Sequence, residues 1–251
     1  PAKALLHSAE VLHEAQTGAR CGVKVSQAEI DMAGLQSYRS GIVSELTGGI
    51  AYLMKKNKIS VEQGFGRLAG PGKVSVKGDS GKVRELSAKA IILATGSTVR
   101  GLPGLDLDGK RVISSDEILE LTEVPKRLLV VGAGAVGTEF ASCYSDFGSE
   151  VTVVEYADRV LPIEDKDCSK ALEKAFKKRK IRVLTQHKVT GATPAAKTVK
   201  VDLENMKKGS TETLTFDLVL VAAGRAPCTT NIGLETVGLS TDNRGLIAVD
   251  A

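Results

Sequence analysis

Three glycines and one glutamate near the middle of the chain have the types and spacing of a dinucleotide-binding turn. Gly132, Gly134 and Gly137 fit the pattern G-x-G-x-x-G. In such a turn the first glycine permits a tight bend, and the second lets backbone N–H groups approach a pyrophosphate. The third lets a helix pack closely on a sheet. Glu155 follows about 20 positions after the first glycine, where an acid accepts hydrogen bonds from a ribose 2′-hydroxyl. The same carboxylate would repel a 2′-phosphate, so the pattern favours NAD.

The elements that must hold these residues are also visible in the sequence. Residues 128–131 predict a buried parallel strand, residues 135–147 a helix, and residues 151–154 a second β-branched strand. Strand, helix, strand and acid together form a complete βαβ unit. The alternative is a tight turn that binds no ligand, because the glycine pattern alone is a weak signal. The complete unit favours a nucleotide site with the pyrophosphate at the helix N-terminus.

Composition limits the function classes that the chain can serve. Its 251 residues are 42% hydrophobic and 25% charged, which suits two soluble domains with a sizeable core. The net charge is +4 with both signs interspersed, aromatic residues make up 4% and tryptophan is absent. This composition argues against a nucleic-acid partner, since little is available to stack on bases. No apolar run of about 18 residues predicts a membrane span, and no secretory signal precedes the first helix.

The thiols and imidazoles do not form a recognisable reactive site in the sequence. The four cysteines, at positions 21, 143, 168 and 228, have neither C-x-x-C nor metal-ligand spacing. The three histidines are equally scattered, so no metal site is predicted. Cys143 falls within the predicted Rossmann helix and is expected in the core. The other cysteines are expected to be free thiols in a reducing compartment, the cytoplasm or the mitochondrial matrix.

Periodicity predicts further elements on both sides of the central unit. Residues 2–16 predict an amphipathic helix that stops at Gly18, and residues 27–56 a long helix weakened by four glycines. A further helix is predicted at residues 165–180, and further strands at residues 23–25, 59–62, 72–76, 83–86, 91–97, 181–184, 198–203, 212–216, 217–227 and 245–249. The strand at 91–97 ends in a glycine turn and the strand at 217–227 ends in Gly-Arg-x-Pro, and each follows a β-rich stretch. This repetition suggests two related nucleotide-binding domains, the second inserted into the first.

Seven stretches of the sequence, in order and spacing, resemble the dihydrolipoamide dehydrogenases of the flavin-dependent pyridine nucleotide–disulfide oxidoreductase family. The stretches are residues 1–8, 64–66, 94–97, 114–116, 130–139, 188–192 and 223–227. The resemblance implies an α/β fold in which a Rossmann-like NAD-binding domain is inserted in a partial FAD-binding domain. It implies a partial FAD-binding domain at residues 1–100, a connector at 101–124 and the NAD-binding domain at 125–251. The end of the chain would start the return to the FAD-binding domain.

The resemblance also implies roles for individual residues. Lys3 is expected beside the flavin ring and paired with Glu139. Without the resemblance, a lysine in the first turn of a helix, where the dipole disfavours a cation, is interpreted as a solvent-exposed side chain without a function. Arg225 is expected near the junction of the two cofactors. FAD contacts are expected at Lys3, Gly66, Thr95, Gly96 and Ser97, and NAD contacts at Gly132, Ala133, Gly134, Ala135, Val136, Gly137, Thr138, Glu139, Glu155, Val189 and Gly224.

The activity implied by the resemblance is the oxidation of dihydrolipoamide through a redox disulfide and FAD, with hydride transfer to NAD. The implied partners are a lipoamide-bearing protein of a 2-oxo acid dehydrogenase or glycine cleavage complex, and a second copy in a homodimer. Mercuric reductase or another disulfide reductase is an alternative activity. A non-catalytic NAD-binding module is an alternative of a different class.

The chain departs from the family pattern in several places. The Cys-x4-Cys redox motif, the FAD-binding glycine motif and the C-terminal dimerisation domain with its His–Glu pair are absent, and Ala2 stands where serine is usual. The chain begins with Pro1 instead of methionine and stops within a predicted strand. It is therefore expected to be an internal segment of such an enzyme, inactive with lipoamide by itself.

Overall fold

Helices and strands follow the periodicity of the sequence over most of residues 1–250, which the computed structural model describes. The helices are α1 (Ala2–Thr17), α2 (Met32–Lys56), α3 (Ala135–Asp146) and α4 (Lys166–Lys178), with short 3₁₀ turns at Gly18–Cys21, Glu117–Glu120 and Leu234–Val237. The strands are β1 (Phe65–Leu68), β2 (Lys73–Lys77), β3 (Val83–Ser87), β4 (Ser97–Val99), β5 (Val112–Ile113), β6 (Arg127–Val131), β7 (Glu150–Val154), β8 (Arg182–Leu184), β9 (His187–Pro194), β10 (Val199–Asn205), β11 (Ser210–Phe216), β12 (Leu218–Val221) and β13 (Arg225–Pro227). No helix within residues 1–250 is long and apolar enough to cross a membrane.

Backbone proximity divides the chain into two units. The first unit contains Pro1–Leu46 and Val99–Gly224, and the second contains Thr47–Thr98 and the residues from Arg225 onward. These bounds differ from the predicted domain division, in which residues 1–100 belong together. Proximity alone does not assign a cofactor to a unit, so the predicted domains stay a prediction.

A five-stranded parallel sheet, in the order β5-β12-β6-β7-β8, forms the centre of the first unit. The chain runs outward from β6 through β7 to β8, and β12 later adds on the other side of β6. The strand order therefore reverses between β6 and β12. In open parallel sheets a ligand binds at such a switch point, outside the carboxyl ends of the strands.

Alternate residues of β6 belong to the two core clusters of the first unit. Leu128 and Val130 pack in a cluster that includes residues of α1, α3 and α4. Leu129 and Val131 pack in the other cluster, together with Val201 and other residues of an antiparallel sheet in the order β11-β10-β9. Both faces of β6 are therefore covered, which explains why its sequence is an uninterrupted apolar run.

Helix α2 begins later than predicted and is not broken by its glycines. It starts at Met32 and not at residue 27, because the side chain of Asp31 accepts a hydrogen bond from the backbone N–H of Ala33 (3.0 Å) and forms an N-terminal cap. The helix then continues without interruption to Lys56.

The second unit has its own antiparallel sheet, in the order β1-β2-β3. A small core forms where Leu68 packs against Ile232 and Leu234. The backbone N–H of Leu68 donates to the carbonyl oxygen of Ile232 (2.8 Å), and Arg67 forms an ion pair with Glu235 (2.6 Å). These contacts join the β-rich segment to residues 232–235.

Several predicted strands are absent from the described residues. Residues 23–25 and 59–62 form no strand. Of the predicted strand at 245–249, only Ile247 pairs, in an isolated β-bridge with Thr241. Of the predicted strand at 91–97, only Ser97 is in a strand, as the first residue of β4. Ile92 is 91% exposed, so its stretch is not the buried strand predicted. An apolar run becomes a buried strand only when other strands pair with it. Within residues 1–250, no strand pairs with residues 91–96.

Strands β6 and β12 start from a shared ion pair. The Asp217 carboxylate accepts hydrogen bonds from the backbone N–H (2.9 Å) and the guanidinium (2.7 Å) of Arg127. The side-chain hydrogen bond, more than any other contact, lowers the pKa of Asp217 from its ordinary value of 3.8. Because the pKa is depressed in the folded chain, this stabilisation is present above the ordinary carboxyl pKa and is lost as pH falls through the lowered value.

We expect Asp217→Asn to lower the free energy of unfolding by about 1–2 kcal/mol at pH 7. The difference from the wild type should shrink below about pH 4, where the wild-type carboxyl becomes protonated. Urea titrations at pH 7 and at lower pH measure both values. Asp79→Asn, in an exposed turn, is the control and should be neutral. An equal loss at both pH values would contradict the role of the charge.

Candidate functional site

A cavity of about 590 Å³ opens at the carboxyl edge of the parallel sheet, at the switch point between β6 and β12. Its walls come from the ends of these strands, from β7 and the segment after it, from the start of β9, and from a short stretch before β5. The lining residues are Leu102, Pro103, Val131, Gly132, Gly134, Ala135, Val136, Val154, Glu155, Tyr156, Pro162, Ile163, His187, Lys188, Val189, Ala222, Ala223 and Gly224.

Two glycines of the turn after β6 are required by the packing itself. Gly132 has φ +105°, and a Cβ there would lie 2.5 Å from the carbonyl oxygen of Ala222. A Cβ at Gly137, in the first turn of α3, would collide with the carbonyl oxygen of Gly132. The helix can therefore approach the sheet this closely only because both side chains are missing.

Gly134 has a different relation to its surroundings. It precedes α3 with extended backbone (φ −72°, ψ −177°), and a Cβ there would meet no other atom within 4 Å. The free space at this position is the cavity. No side chain of the described residues caps α3, so the first N–H groups of the helix and the positive end of its dipole are available to an anion. This cradle fits a pyrophosphate.

Glu155 lies at the end of β7 with its carboxylate fixed in direction. The residue is only 9% exposed. One carboxylate oxygen accepts from the backbone N–H of Ala133 and the other from that of Ala157, both at 2.7 Å. A carboxylate has about four acceptor positions, so two remain for ribose hydroxyls. The next residues are Tyr156, Ala157 and Asp158, with no cation for a 2′-phosphate.

The structure brings most of the predicted NAD residues to the cavity wall. Those that line the cavity are Gly132, Gly134, Ala135, Val136, Glu155, Val189 and Gly224. Ala133, Gly137, Thr138 and Glu139 are not among the lining residues. Ala133 holds Glu155 instead, and the Thr138 hydroxyl donates to the carbonyl oxygens of Gly134 and Ala135 within the helix. Their part in direct cofactor contact stays a prediction.

Several wall residues were not predicted from the sequence. They include Tyr156, Pro162, Ile163, His187 and Lys188. The segment after β7 has no helical or strand periodicity, and its position depends on a hydrogen bond from the backbone N–H of Leu161 to the carbonyl oxygen of Ala133 (2.8 Å). Lys188 directly precedes the predicted Val189 in the chain, so its position next to a predicted contact could have identified it. No feature of the sequence pointed to His187.

Lys3 of α1 forms an ion pair with Glu139 of α3, as the resemblance leads one to expect. The two helices pack side by side in the first unit. The Lys3 side chain is 80% exposed and the Glu139 side chain 37%, so the pair adds little to stability. Its polar atoms are open to a ligand, and its place beside a flavin stays a prediction.

The remaining predicted FAD residues belong to the second unit and are exposed. Gly66 lies in β1, while Thr95 and Gly96 precede β4. Ser97 accepts a hydrogen bond through its hydroxyl from Nε of Arg225 (2.7 Å), and its carbonyl oxygen accepts one from Nη2 (2.5 Å). Among residues 1–250 the turn at Gly132 is the single glycine turn that joins a parallel strand to a helix. The contact of these residues with FAD stays a prediction.

Cysteines and metal ligands contribute no second reactive centre in the part of the chain that the structure describes. Cys143 is buried in α3 as predicted, and burial, more than the nearby Asp146, raises the pKa of its thiol to about 12. A thiol of this kind is not a nucleophile at neutral pH. The other cysteines are free, and no group of His, Cys, Asp and Glu side chains within residues 1–250 could hold a metal ion.

Comparison with known proteins gives matches over the full length of the chain. Residues 1–251 match the pyridine nucleotide-disulphide oxidoreductase family. Dihydrolipoyl dehydrogenase 3 of Pseudomonas putida is 44% identical over 251 residues, which cover 99% of this chain and 53% of the relative. The mitochondrial dihydrolipoyl dehydrogenase 2 of Arabidopsis thaliana is 41% identical over 251 residues, or 100% of this chain and 50% of the relative.

A solved structure, that of LpdA from Mycobacterium tuberculosis, has the same fold with a TM-score of 0.89 and 26% sequence identity. The match covers 100% of this chain and 54% of that structure's chain. The chain thus spans about half the length of the curated relatives it matches.

Valine substitutions at two of the glycines should separate binding from folding. Gly134→Val should fold, because its backbone is extended and its Cβ meets open space, yet lose at least about tenfold in NADH affinity by filling the pyrophosphate cradle. Gly137→Val should instead lose about 3 kcal/mol or more of stability, because its side chain overlaps backbone. Thermal unfolding and NADH fluorescence titration measure the two effects. A folded Gly134→Val variant with unchanged affinity would place the nucleotide elsewhere.

Proposed function

The chain belongs to the pyridine nucleotide-disulphide oxidoreductase family, and from this premise we propose that it is part of a dihydrolipoyl dehydrogenase. The family is FAD- and NAD-dependent, and the α/β fold is of the FAD/NAD-binding type, as the sequence predicts. In the proposed reaction, dihydrolipoamide and NAD⁺ give lipoamide, NADH and a proton. The observation that carries the proposal is the cavity at the switch point, with the fixed Glu155 carboxylate in its wall.

The residues of the cavity are proposed to bind and orient NAD. Backbone N–H groups at the start of α3, from Gly134 onward, would hold the pyrophosphate, and Glu155 would accept hydrogen bonds from the adenosine ribose. Val189 and Gly224 form part of the wall. The bound cofactors supply the hydride chemistry. The protein's contribution is to position the cofactors and to exclude water from them.

The proposed flavin contacts are those that the family resemblance implies. The Lys3 ammonium, oriented by Glu139, would donate a hydrogen bond to the flavin ring, and Gly66 with Thr95, Gly96 and Ser97 would contact FAD. The proposed domains are residues 1–100 for FAD, 101–124 as connector and 125–251 for NAD. These roles rest on the match of motifs and on the ion pair of α1 with α3.

The partners follow from the proposed activity. They are a lipoamide-bearing protein of a 2-oxo acid dehydrogenase or glycine cleavage complex, and a second copy of the enzyme. The proposed compartment is the cytoplasm or the mitochondrial matrix. The relatives support it, since one is named as mitochondrial and others are bacterial proteins.

We expect the chain to bind NADH at least about tenfold more tightly than NADPH, because a 2′-phosphate would meet the Glu155 carboxylate and lose its hydrogen-bond acceptor. Glu155→Ala should weaken NADH and narrow this gap. Calorimetric titration of both nucleotides gives the affinities. Glu14→Ala, an exposed substitution on α1, is the matched control and should change neither. Equal or tighter binding of NADPH by the wild type would refute the ribose role of Glu155.

The 251-residue chain by itself should not reduce lipoamide when FAD and NADH are added. Reduction of this disulfide needs a pair of close, low-pKa thiols. Cys143 is buried with a raised pKa, and no two cysteines of the sequence are neighbours. NADH consumption with lipoamide and the flavin absorbance of the purified chain are the measurements. A yellow preparation that turns over lipoamide would contradict this expectation.

A further inference from the structure

We propose that His187 makes the site selective for adenine over hypoxanthine in the dinucleotide. The inference rests on the proposed binding of NAD and concerns the base, which neither the glycine turn nor Glu155 recognises. His187 is the first residue of β9, is half-buried and lines the cavity. Its role is to set specificity, with no part in the transfer of hydride.

The backbone keeps His187 next to the ribose end of the site. Its N–H donates to the carbonyl oxygen of Glu155 (3.0 Å), so the two residues lie side by side at the carboxyl edge of the sheet. Glu155 is the ribose partner and the pyrophosphate belongs to the turn at Gly134. The base is therefore the part of the adenosine half that remains for the side chains beside Glu155.

The tautomer of His187 follows from one contact. Its ring Nδ1 lies 2.6 Å from the carbonyl oxygen of Thr185. A carbonyl oxygen can only accept, so Nδ1 carries the hydrogen. In the neutral ring, Nε2 is then an acceptor without a hydrogen. Adenine offers an amino group at position 6, which donates, whereas hypoxanthine has an oxygen there, which accepts. An acceptor at Nε2 that faces position 6 favours the first base and disfavours the second.

The charged neighbours of the ring are already paired or engaged. The Lys188 ammonium lies 2.9 Å from the carboxylate of Glu204. The Glu155 carboxylate is held by two backbone N–H groups and is assigned to the ribose. Tyr156 also lines the cavity, but its side chain is largely exposed. Among the polar side chains that line the cavity beside Glu155, His187 therefore offers an acceptor, Nε2, for the amino group of a base.

The test compares NAD with nicotinamide hypoxanthine dinucleotide, which differs in the base alone. Calorimetry on the wild-type chain should give about tenfold tighter binding of NAD, in line with the cost of leaving a buried polar group unpaired. His187→Phe keeps an aromatic ring without the acceptor, and it should bring the ratio of the two affinities close to one, mainly by weakening NAD. His7→Phe, on the exposed face of α1, is the matched control and should keep the wild-type ratio.

The outcomes separate this inference from the proposed function. If the wild type binds both dinucleotides equally, the role of His187 is wrong while the NAD site stands. If His187→Phe weakens both equally and keeps the ratio, the ring contacts another part of the ligand and the inference is overturned. If the wild type binds neither, the proposed NAD site fails, and this inference with it. His187→Leu, which also lacks an acceptor, serves as a second variant with the same expected loss of selectivity if the phenylalanine variant does not fold.

Discussion

The close approach of α3 to the end of β6 is the contact on which the site depends. The carbonyl oxygen of Gly132 occupies the space that a side chain at Gly137 would need. Because that side chain is missing, the helix N-terminus lies at the edge of the sheet, and its free N–H groups face the cavity. Replacing either glycine moves the helix, and with it the anion cradle. Packing and ligand recognition thus share one constraint.

The glycine turn after β6 and the carboxylate of Glu155 stabilise each other. Glu155 would be expensive to bury without partners, yet it is nearly inaccessible and accepts hydrogen bonds from Ala133 and Ala157. The carboxylate therefore fixes the backbone of the turn before any ligand binds. A ribose would meet an acceptor whose orientation is already set, which lowers the entropic cost of binding.

The parts of the fold that local sequence determines were the predictable ones. The strand, turn and helix around Gly132 are encoded by neighbouring residues, and so are the two strands predicted at 198–203 and 212–216, which pair as β10 and β11. The stretch 91–97 was mispredicted because burial of a strand depends on distant partners. The walls of the cavity at Ile163 and His187 come from segments without periodicity. The pair of Lys3 and Glu139 joins residues far apart in the chain, so only the family resemblance pointed to it.

The burial of Cys143 has a practical consequence for the nucleotide unit. This thiol lies on the same helix whose first turn forms the anion cradle, and it is shielded from solvent, whereas Cys21 and Cys168 are exposed. A thiol-specific reagent can reach Cys143 only when a local opening exposes this buried side chain. Its labelling rate therefore measures how often this region opens locally. A ligand that binds only the closed form lowers the labelling rate in proportion to its occupancy. Labelling of Cys143 can therefore report nucleotide binding.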